Sequence, residues 1–302
     1  MSALAVIHLV RKHNGIAPFK RFLSSYREHP SGALHDLVIV FKGFDPGSTA
    51  DYDTLLKDLP HKRMFVADRG YDINTYFEAV ERLEYRHYCF LNSYSRILGG
   101  DWLGKLYHWI KADGVGLVGA TASYQSISSG HFAHIEKMKA MPTLERVRAS
   151  AKIILADASP TAFLAQRAWF RILRMAGVWK PERDFPPFPN YHLRTNAFMG
   201  VRQTLRQIRI EPMRLKVSAY KFESGRDSLT NQVRRLGLRV LVVGRDGEGY
   251  DPERWHLSNT FWQGREENLL IGDNQTESYL SADSATRILR SRHAWGELAR
   301  PG

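Results

Sequence analysis

Apolar residues in the first 120 positions alternate between short unbroken runs and sets at helical spacing. The unbroken runs predict five buried strands, which are Ala3–Val10, Leu37–Phe41, Met64–Ala67, Tyr88–Leu91 and Val115–Ala120. Apolar residues three and four positions apart predict the intervening helices, which are Pro18–Glu28, Tyr52–Leu59, Ile73–Leu83 and Leu103–Ala112. Because strands that alternate with helices form parallel βαβ units, this part of the chain predicts an α/β fold with a mostly parallel sheet.

The pattern changes after residue 126. Residues 129–179 are predicted to be mainly helical, and the four prolines within Pro181–Tyr191 predict that no regular structure forms there. The rest of the chain returns to a mixed pattern, with predicted strands at His192–Val201 and Arg239–Val243 and a predicted helix at Lys216–Leu236 that Gly225 interrupts.

Length and continuity favour one domain over two. The chain has 302 residues and shows no internal repeat or linker-like segment. We predict a single domain with a mixed sheet, in which residues 1–126 form a first half, residues 127–190 a helical insertion, and residues 191–302 a second half with a C-terminal tail.

Composition indicates a soluble protein of a reducing compartment. Hydrophobic residues make up 43% of the chain and charged residues 25%, which is typical of globular domains. Cys89 is the only cysteine, so an internal disulfide is excluded. No apolar run approaches the roughly 18 residues that span a bilayer, and no basic region precedes the first strand. We expect a cytoplasmic protein without a signal peptide.

The charge balance favours an anionic partner. The formal net charge is +12, which suits a nucleotide diphosphate or a phospholipid surface. No zinc-finger spacing or ribonucleoprotein motif accompanies the basic residues, so nucleic acid is not an expected partner. The sequence also lacks the glycine-rich nucleotide loops, the serine-hydrolase elbow and paired zinc ligands, which argues against those enzyme classes.

Polar clusters follow two neighbouring predicted strands. Asp68-Arg69-Gly70-Tyr71-Asp72 comes after the third strand, and Asn92-Ser93-Tyr94 after the fourth. An open α/β sheet binds ligands at the edge where its parallel strands end. These clusters therefore predict a binding crevice, although Asp72 is equally well placed to cap the helix Ile73–Leu83.

Several motifs together resemble a known family. Their order and spacing along residues 3–245 are similar to those of GT-A-like bacterial glycosyltransferases, in particular those related to the rhamnan synthesis protein F and family 2-like enzymes. The resemblance rests on Asn14-Gly15, Phe22-Leu23-Ser24-Ser25-Tyr26, Lys42-Gly43-Phe44, Arg69-Gly70-Tyr71-Asp72, Phe90-Leu91-Asn92-Ser93 and His192-Leu193-Arg194-Thr195-Asn196-Ala197-Phe198. It implies a GT-A-like mixed sheet flanked by helices, and transfer of a sugar from a nucleotide-sugar donor to a cell-surface polysaccharide or lipid-linked glycan.

The resemblance implies a donor site at the strand ends. The residues expected to contact the donor are Asn14, Asp68, Arg69, Gly70, Asp72, Asn92, Ser93 and Arg96. Where such enzymes usually have an Asp-x-Asp metal motif, this chain has Asn92-Ser93-Tyr94. Amide and hydroxyl groups are weaker Mg²⁺ or Mn²⁺ ligands than carboxylates, so no metal or other cofactor is firmly expected and Asn92 is the one candidate ligand. Arg69, Arg96 or Arg194 would then stabilise the departing diphosphate.

Catalytic and acceptor residues are expected in the second half of the chain. By analogy with inverting enzymes of this fold, Glu223 is the first candidate for the general base and Asp227 the second. Asp227 or Ser228 alternatively caps the next helix. Residues expected to bind the acceptor or the transferred sugar are Ser123, Gln125, His192, Arg194 and Asn196. The aromatic and amide-rich tail from Trp255 to Thr276 either binds sugar or packs on the core.

A non-catalytic alternative stays open at this point. Loss of the acidic motif is compatible with a GT-A-like carbohydrate-binding or scaffolding protein of a polysaccharide assembly system. Convergence of Glu223 and arginines on one site would favour the enzyme. The basic charge also predicts peripheral contact with an anionic inner membrane.

Overall fold

A mixed sheet of eight strands organises the larger part of the chain. The computed structural model describes residues 3–129, 175, 177, 180–211, 213 and 215–300. The strands are β1 (Leu4–Arg11), β2 (Asp36–Lys42), β3 (Lys62–Val66), β4 (His87–Leu91), β5 (Arg96–Ile97), β6 (Val115–Gly119), β7 (Ala122–Ser123), β8 (His192–Leu193), β9 (Ala197–Val201), β10 (Arg239–Val243), β11 (Gly249–Tyr250) and β12 (Ile271–Gly272).

The eight strands of the main sheet lie in the order β11-β10-β6-β9-β4-β1-β2-β3. Strands β1, β2, β3 and β4 are parallel, and β10 is parallel to β6. Strand β9 lies between β4 and β6 and runs antiparallel to both. The short strands pair separately, β5 with β12 and β7 with β8. The predicted fold class, a mostly parallel mixed sheet flanked by helices, is confirmed.

Helices connect the strands at both faces of the sheet. They are α1 (Ala17–Glu28), α2 (Ala50–Leu56), α3 (Asp72–Arg82), α4 (Trp102–Ile110), α5 (Pro181–Asp184), α6 (Arg202–Leu205), α7 (Lys216–Ser224), α8 (Leu229–Arg235), α9 (Asn274–Leu280) and α10 (Ser284–Trp295). The interruption predicted at Gly225 is confirmed, because it separates α7 from α8. A side chain at Gly225 would place its Cβ 2.4 Å from the Lys221 carbonyl oxygen.

Burial on both faces explains the unbroken apolar runs. In β1, alternate residues face two separate cores: Ile7 and Leu9 pack in one, with α3, and Val6 and Val10 in the other, with α1 and α4. A strand that is covered on both faces is apolar along its whole length, because neither set of alternate side chains meets water. The C-terminal tail contributes Trp255, Trp262 and Trp295 to the core that contains α3.

Two local predictions are corrected by the structure. His192–Val201 is not one strand but β8 and β9, separated by residues 194–196, whose polar groups bond to neighbouring loops. The prolines after residue 180 do not exclude all regular structure either. Pro181 opens the short helix α5, where a missing N–H costs no hydrogen bond.

The chain forms two compact units, residues 1–124 with 191–302, and residues 125–190. The first contains every strand and all helices named above except α5. In the second, Ser126 and Ser128 donate hydrogen bonds from Oγ to the Pro186 carbonyl oxygen, at 2.6 and 3.0 Å. The helices predicted in residues 129–179 lie outside the described residues. The single-domain organisation stays a prediction. No helix in the described ranges combines the length and apolarity needed to cross a membrane.

Candidate functional site

Polar residues gather where the parallel strands of the main sheet end. Strands β1, β2, β3, β4 and β6 end at one edge, and β9 begins there because it runs in the opposite direction. The side chains that follow these strands therefore meet along one edge, as the sequence predicts for a ligand crevice.

An ionic cluster lies at the ends of β1, β2 and β3. Arg11 forms a bidentate pair with Asp68, with Nε donating to Oδ1 at 2.9 Å and an Nη to Oδ2 at 3.2 Å. The fully buried Lys42 donates from Nζ to the Gly70 carbonyl oxygen at 3.0 Å. These bonds hold the Asp68–Asp72 segment against the sheet, and the left-handed backbone of Gly70 (φ 63°) allows its turn.

Asp72 extends this cluster toward the middle of the edge. It is the first residue of α3 and not its N-cap, which is Tyr71, so the capping alternative is wrong. The Tyr71 N–H donates instead to Asn74 Oδ1 at 3.2 Å. Burial raises the pKa of Asp72, and the charges of Lys42 and Arg11 oppose that rise.

Tyr76, one turn further along α3, connects two groups of charges. Its hydroxyl is buried and has no hydrogen-bond partner within the described ranges. Burial raises the pKa of Tyr76, and the carboxylates of Asp72 and Asp273 raise it further. Both carboxylates therefore lie close enough to the Tyr76 hydroxyl to act on it electrostatically.

Asn92, which was expected to bind the nucleotide-sugar donor, instead holds the backbone of the loop after β4. Asn92 Oδ1 accepts hydrogen bonds from the Tyr94 N–H at 3.0 Å and from Ser95 Oγ at 3.1 Å. The Asn92 N–H donates to the Asn196 carbonyl oxygen, which joins this loop to the start of β9. Asn92 therefore shapes the loop, and its amide oxygen is already engaged.

Ser93 and Asn14 come together in a narrow crevice beside β1. Their neighbours there include His8 and Arg11, and the crevice is too small to hold a water molecule. Ser93 Oγ is buried and has no hydrogen-bond partner among the described groups, and neither has either ring nitrogen of His8. Burial lowers the pKa of His8 to about 3, and its ring stacks on Phe22 with centroids 3.6 Å apart.

Glu223 lies at the end of α7 and faces the loop between β8 and β9. Its Oε2 accepts two hydrogen bonds from Thr195, from N at 3.0 Å and from Oγ1 at 2.5 Å. Burial acts to raise the pKa of Glu223, but the charges of Arg194 and His192 and the Thr195 hydrogen bonds outweigh it and lower the pKa. Glu223 is therefore a half-buried carboxylate held in its charged form, and the predicted residues Arg194 and His192 are near enough to act on its charge.

Arg194 presents its guanidinium group to the same region. The group lies over the Phe261 ring, 4.3 Å from its centroid. Arg194 Nε and the neighbouring Asn196 Nδ2 are buried and have no hydrogen-bond partner in the part of the chain that is described. Asn196 Oδ1 accepts a hydrogen bond from Thr121 Oγ1 at 2.7 Å. Two buried hydrogen-bond donors at the start of β9 therefore have no partner among the described residues.

Glu266 is a functional candidate that the sequence reasoning missed. Its side chain is 4% exposed, its Oε1 accepts the Trp262 N–H at 2.9 Å, and its Oε2 has no hydrogen-bond partner among the residues described. Burial, supported by the charge of Asp273, raises the pKa of Glu266 to about 8, and the Trp262 N–H hydrogen bond and the charge of Arg194 oppose the rise. The only sequence signal was an acidic pair, Glu266-Glu267, after the aromatic pair Phe261-Trp262.

Lys42, Tyr76 and Asp273 were also not selected as site residues. Lys42 had a readable signal, a charged residue at the end of the apolar run Leu37–Phe41. Asp273 was noted only as part of the tail. It is buried and caps α9, where its Oδ1 accepts the N–H groups of Gln275 and Thr276 at 3.0 and 3.1 Å.

Other predicted residues lie apart from this group. Arg69 is exposed, and Arg96 is more than half exposed with its guanidinium 3.8 Å from Glu277. Asp227 is exposed and pairs with Arg235, whereas Ser228 caps α8 by accepting the Asn231 N–H at 3.3 Å. Those two positions fit the structural alternative for the segment after Gly225.

Ser123 and Gln125 take part in structural hydrogen bonds. The buried Ser123 hydroxyl donates to the Ala294 carbonyl oxygen at 3.5 Å, toward α10. Gln125 belongs to the second unit, where its carbonyl oxygen accepts Asn190 Nδ2 at 3.3 Å.

The side chains expected at the metal position after β4 are poor ligands for a divalent metal. Within the described ranges no three His, Cys, Asp or Glu side chains converge as metal ligands. Asn92, the candidate ligand, already uses its amide oxygen twice. Hard cations such as Mg²⁺ and Mn²⁺ favour carboxylate oxygens, whereas the groups without a partner at the start of β9, Arg194 Nε and Asn196 Nδ2, are hydrogen-bond donors.

Comparison with known proteins gives distant structural similarities only. The sequence matches no protein-family model and no curated protein. It is similar to the Pyrobaculum calidifontis mannosyltransferase PcManGT, whose structure contains GDP-Man and Mn²⁺, with 12% identity and a TM-score of 0.43. That match covers 85% of this chain, which spans 59% of the mannosyltransferase.

Two further solved structures resemble the chain. Residues 1–349 of S. aureus TarS match with 14% identity and a TM-score of 0.32, over 39% of this chain and 34% of that one. Mouse xyloside xylosyltransferase 1 matches with 12% identity and a TM-score of 0.37, over 76% of this chain and 79% of that one.

Proposed function

We propose that this protein is a GT-A-like glycosyltransferase that binds a nucleotide-sugar donor at the carboxyl edge of its sheet. The observation that supports this function best is a pair of buried hydrogen-bond donors at the start of β9 that have no partner among the described residues, Arg194 Nε and Asn196 Nδ2. Buried polar groups in proteins nearly always have a hydrogen-bond partner, so two hydrogen-bond donors without one favour a ligand that carries acceptor oxygens. A diphosphate supplies several such oxygens with negative charge.

The proposal assigns the donor diphosphate to Arg194 in place of Arg96. Arg194 has an open Nε and lies among buried groups, whereas Arg96 is exposed and faces Glu277. A guanidinium group in a partly desolvated site stabilises the charge that develops on the leaving diphosphate. No step in this scheme uses a metal ion.

The ionic cluster at the ends of β1, β2 and β3 is proposed to hold the nucleoside. Arg11 and Lys42 fix Asp68 and Gly70 in place. The polar groups of Asp72 and Asn14 then face a ligand that enters along this edge. Hydroxyls of a ribose suit such carboxylate and amide groups.

Glu223 is proposed to remove the proton of the acceptor hydroxyl. A general base must be charged at the working pH, and the charges of Arg194 and His192, together with the hydrogen bonds from Thr195, favour that form of Glu223. As Glu223 takes the proton, the acceptor oxygen forms a bond to the anomeric carbon of the sugar. The bond from that carbon to the diphosphate oxygen breaks, and the nucleoside diphosphate leaves with that electron pair. Inversion is the proposed stereochemistry. Asp227 has no part in this scheme because it pairs with Arg235 at the surface.

The proposed acceptor is a cell-surface polysaccharide or a lipid-linked glycan, as in enzymes related to the rhamnan synthesis protein F. The net charge of +12 supports peripheral contact with an anionic membrane. Sedimentation with vesicles that contain an anionic phospholipid should be salt-sensitive, and equal binding to neutral vesicles would count against this contact.

A thermal-shift screen tests the proposed function. UDP, GDP, CMP and dTDP and their sugar conjugates are added to the full chain with Mn²⁺ or with EDTA, because a ligand of the native state raises Tm. Stabilisation by one nucleotide family, equal in both conditions, is the expected result. Arg194→Gln should abolish the shift, whereas Arg69→Gln, at an exposed position, should leave it unchanged. Absence of any shift would favour the non-catalytic carbohydrate-binding alternative.

A further inference from the structure

An unusual backbone conformation marks the loop that contains Glu266. Asn259, Trp262 and Glu266 have positive φ angles of 52°, 48° and 53°, and Gly264 has a φ of 49°. Asn and Gly adopt this left-handed region readily, but Trp262 and Glu266 do not, and these two residues store strain in the loop. Such strain persists only where the surrounding structure holds it, and it is frequent at functional sites.

Contacts from several elements hold this loop in place. Trp295 Nε1 donates to the Phe261 carbonyl oxygen at 2.7 Å, and Gln263 Nε2 donates to the His256 carbonyl oxygen at 2.8 Å. The rings of Phe261 and Trp262 stack with centroids 4.6 Å apart. The position of the Glu266 carboxyl group is thereby fixed from both sides.

The two oxygens of Glu266 have different surroundings. Oε1 accepts the Trp262 N–H at 2.9 Å, which accounts for a structural role of that oxygen. Oε2 is buried and has no hydrogen-bond partner among the described residues. A buried carboxylate oxygen without a partner is costly, whereas a protonated oxygen becomes a hydrogen-bond donor that can serve a ligand.

The charges around Glu266 favour its neutral form. Burial is the largest cause that raises its pKa, to about 8, and the charges of Asp273 and Glu267 act in the same direction, whereas the Trp262 N–H hydrogen bond and the charge of Arg194 oppose the rise. Tyr279, from α9, is also near enough for its pKa to be raised by Glu266. Because an acid with a pKa near 8 is mostly protonated at neutral pH, Oε2 can donate a hydrogen bond.

We propose that Glu266 is protonated in the ligand-free protein and donates a hydrogen bond from Oε2 to a diphosphate oxygen of the donor, beside Arg194. This inference rests on the proposed function and deepens it, because it names a neutral acid as part of an anion-binding site. A charged carboxylate at this position would repel the diphosphate. The neutral acid instead adds a third donor to Arg194 Nε and Asn196 Nδ2.

The test measures the binding of UDP, GDP and dTDP by calorimetry between pH 6.5 and 9.5. For the wild-type chain, affinity should fall by about tenfold for each pH unit above pH 8, because binding then requires uptake of one proton. Glu266→Gln keeps the shape and a neutral donor, so its affinity should stay within about threefold of wild type at pH 7 and should not fall at high pH. Glu253→Gln removes a charge from an exposed position and should behave like wild type.

Infrared spectroscopy of the ligand-free protein separates this inference from the proposed function. The carbonyl band of a protonated carboxyl group should be present at pH 7, disappear by pH 10, and be absent from Glu266→Gln at both pH values. Absence of that band in the wild type overturns the inference even if nucleotides bind. If the band is present and none of the three nucleotides binds, the proposed function and the hydrogen bond to diphosphate both fail.

Two binding results would also overturn the inference. One is a parallel loss of affinity above pH 8 in wild type and Glu266→Gln, which would assign the titration to another group. The other is a loss of turnover in Glu266→Gln with unchanged affinity and pH dependence, which would make Glu266 a proton acceptor.

Discussion

Thr195 donates two hydrogen bonds to one carboxylate oxygen of Glu223, from its backbone nitrogen at 3.0 Å and from its hydroxyl at 2.5 Å. The bonds join α7 to the loop between β8 and β9, 28 positions away in the chain. They fix the direction of the Glu223 carboxylate and favour its charged form. The position of the proposed base thus depends on Thr195, which also contributes to its charged form beside Arg194 and His192.

Replacement of Thr195 by valine should therefore reduce both stability and activity. A hydrogen bond to a charged group contributes about 1.5–3 kcal/mol to the free energy of unfolding, and Thr195→Val removes one of the two. Denaturation in urea measures this loss. Thr54→Val is the matched control, because Thr54 is exposed on α2 and bonds only to the Ala50 carbonyl oxygen, and it should change stability by less than about 0.5 kcal/mol. Equal effects of both variants would contradict the assigned role of Thr195.

Replacement of Arg194 by lysine should weaken nucleotide binding while keeping the charge. Lysine cannot offer the guanidinium Nε–H, and it stacks less well over the Phe261 ring. We expect the Kd for the stabilising nucleotide to rise about tenfold, which corresponds to about 1.4 kcal/mol. Arg96→Lys makes the same change at an exposed position and should leave Kd unchanged. If Arg96→Lys caused the larger loss, the diphosphate would have to be assigned to Arg96.

Glu266 should make stability fall as the pH rises from about 4.5 to about 8. Its pKa is raised to about 8 in the folded state from an ordinary value of 4.5, so the folded state binds more protons in this range. The stabilising contribution is fully present below pH 4.5 and is lost by pH 8. Relative to Glu266→Gln, the wild type should lose on the order of a few kcal/mol of unfolding free energy across that window.

Urea denaturation of both proteins at several pH values checks this slope. The difference between them should be constant above about pH 8.5, where Glu266 is ionised in both states. A difference that does not vary with pH between 4.5 and 8 would show that Glu266 is ionised in the folded protein.

His8 should make stability fall as the pH decreases, which is the opposite direction to that for Glu266. Its pKa is lowered to about 3 by burial, from 6.5, so the unfolded chain takes up the proton first as the pH falls. Stability is therefore lost between about pH 6.5 and pH 3. His8→Leu fills the same apolar position beside Phe22 and should flatten this loss, whereas His13→Leu, at an exposed position, should retain it. Retention of the full acid sensitivity in His8→Leu would assign it to other groups.

Much of the sheet could be predicted because its strands are buried on both faces. The apolar runs at Ala3–Val10 and Leu37–Phe41 predict buried strands, because predicted helices alternate with them along the chain. The break between β8 and β9 was not predictable in this way. The residues from Arg194 to Asn196 leave the strand direction to bond with Thr121 and Glu223, and those partners are distant in the chain.

The site was predicted in part for a similar reason. His192, Arg194 and Glu223 were found because polar residues stood beside apolar elements. Glu266 was missed because its burial depends on a left-handed loop that Trp295, His256 and Arg300 hold. The helix α9 was also missed, although Asp273 accepts N–H groups as its cap, which is a readable signal.

The position of β9 has a consequence for synthesis of the chain. Strands β4 and β6 emerge from the ribosome early but never pair with each other, because β9, which begins at residue 197, fills the gap between them. Until then the nascent chain exposes two unpaired strand edges, each able to recruit a strand from another molecule. Because Arg194 and Asn196 directly precede β9, closure of this gap also brings both residues to the edge of the sheet, and a chain that ends before residue 197 cannot close it.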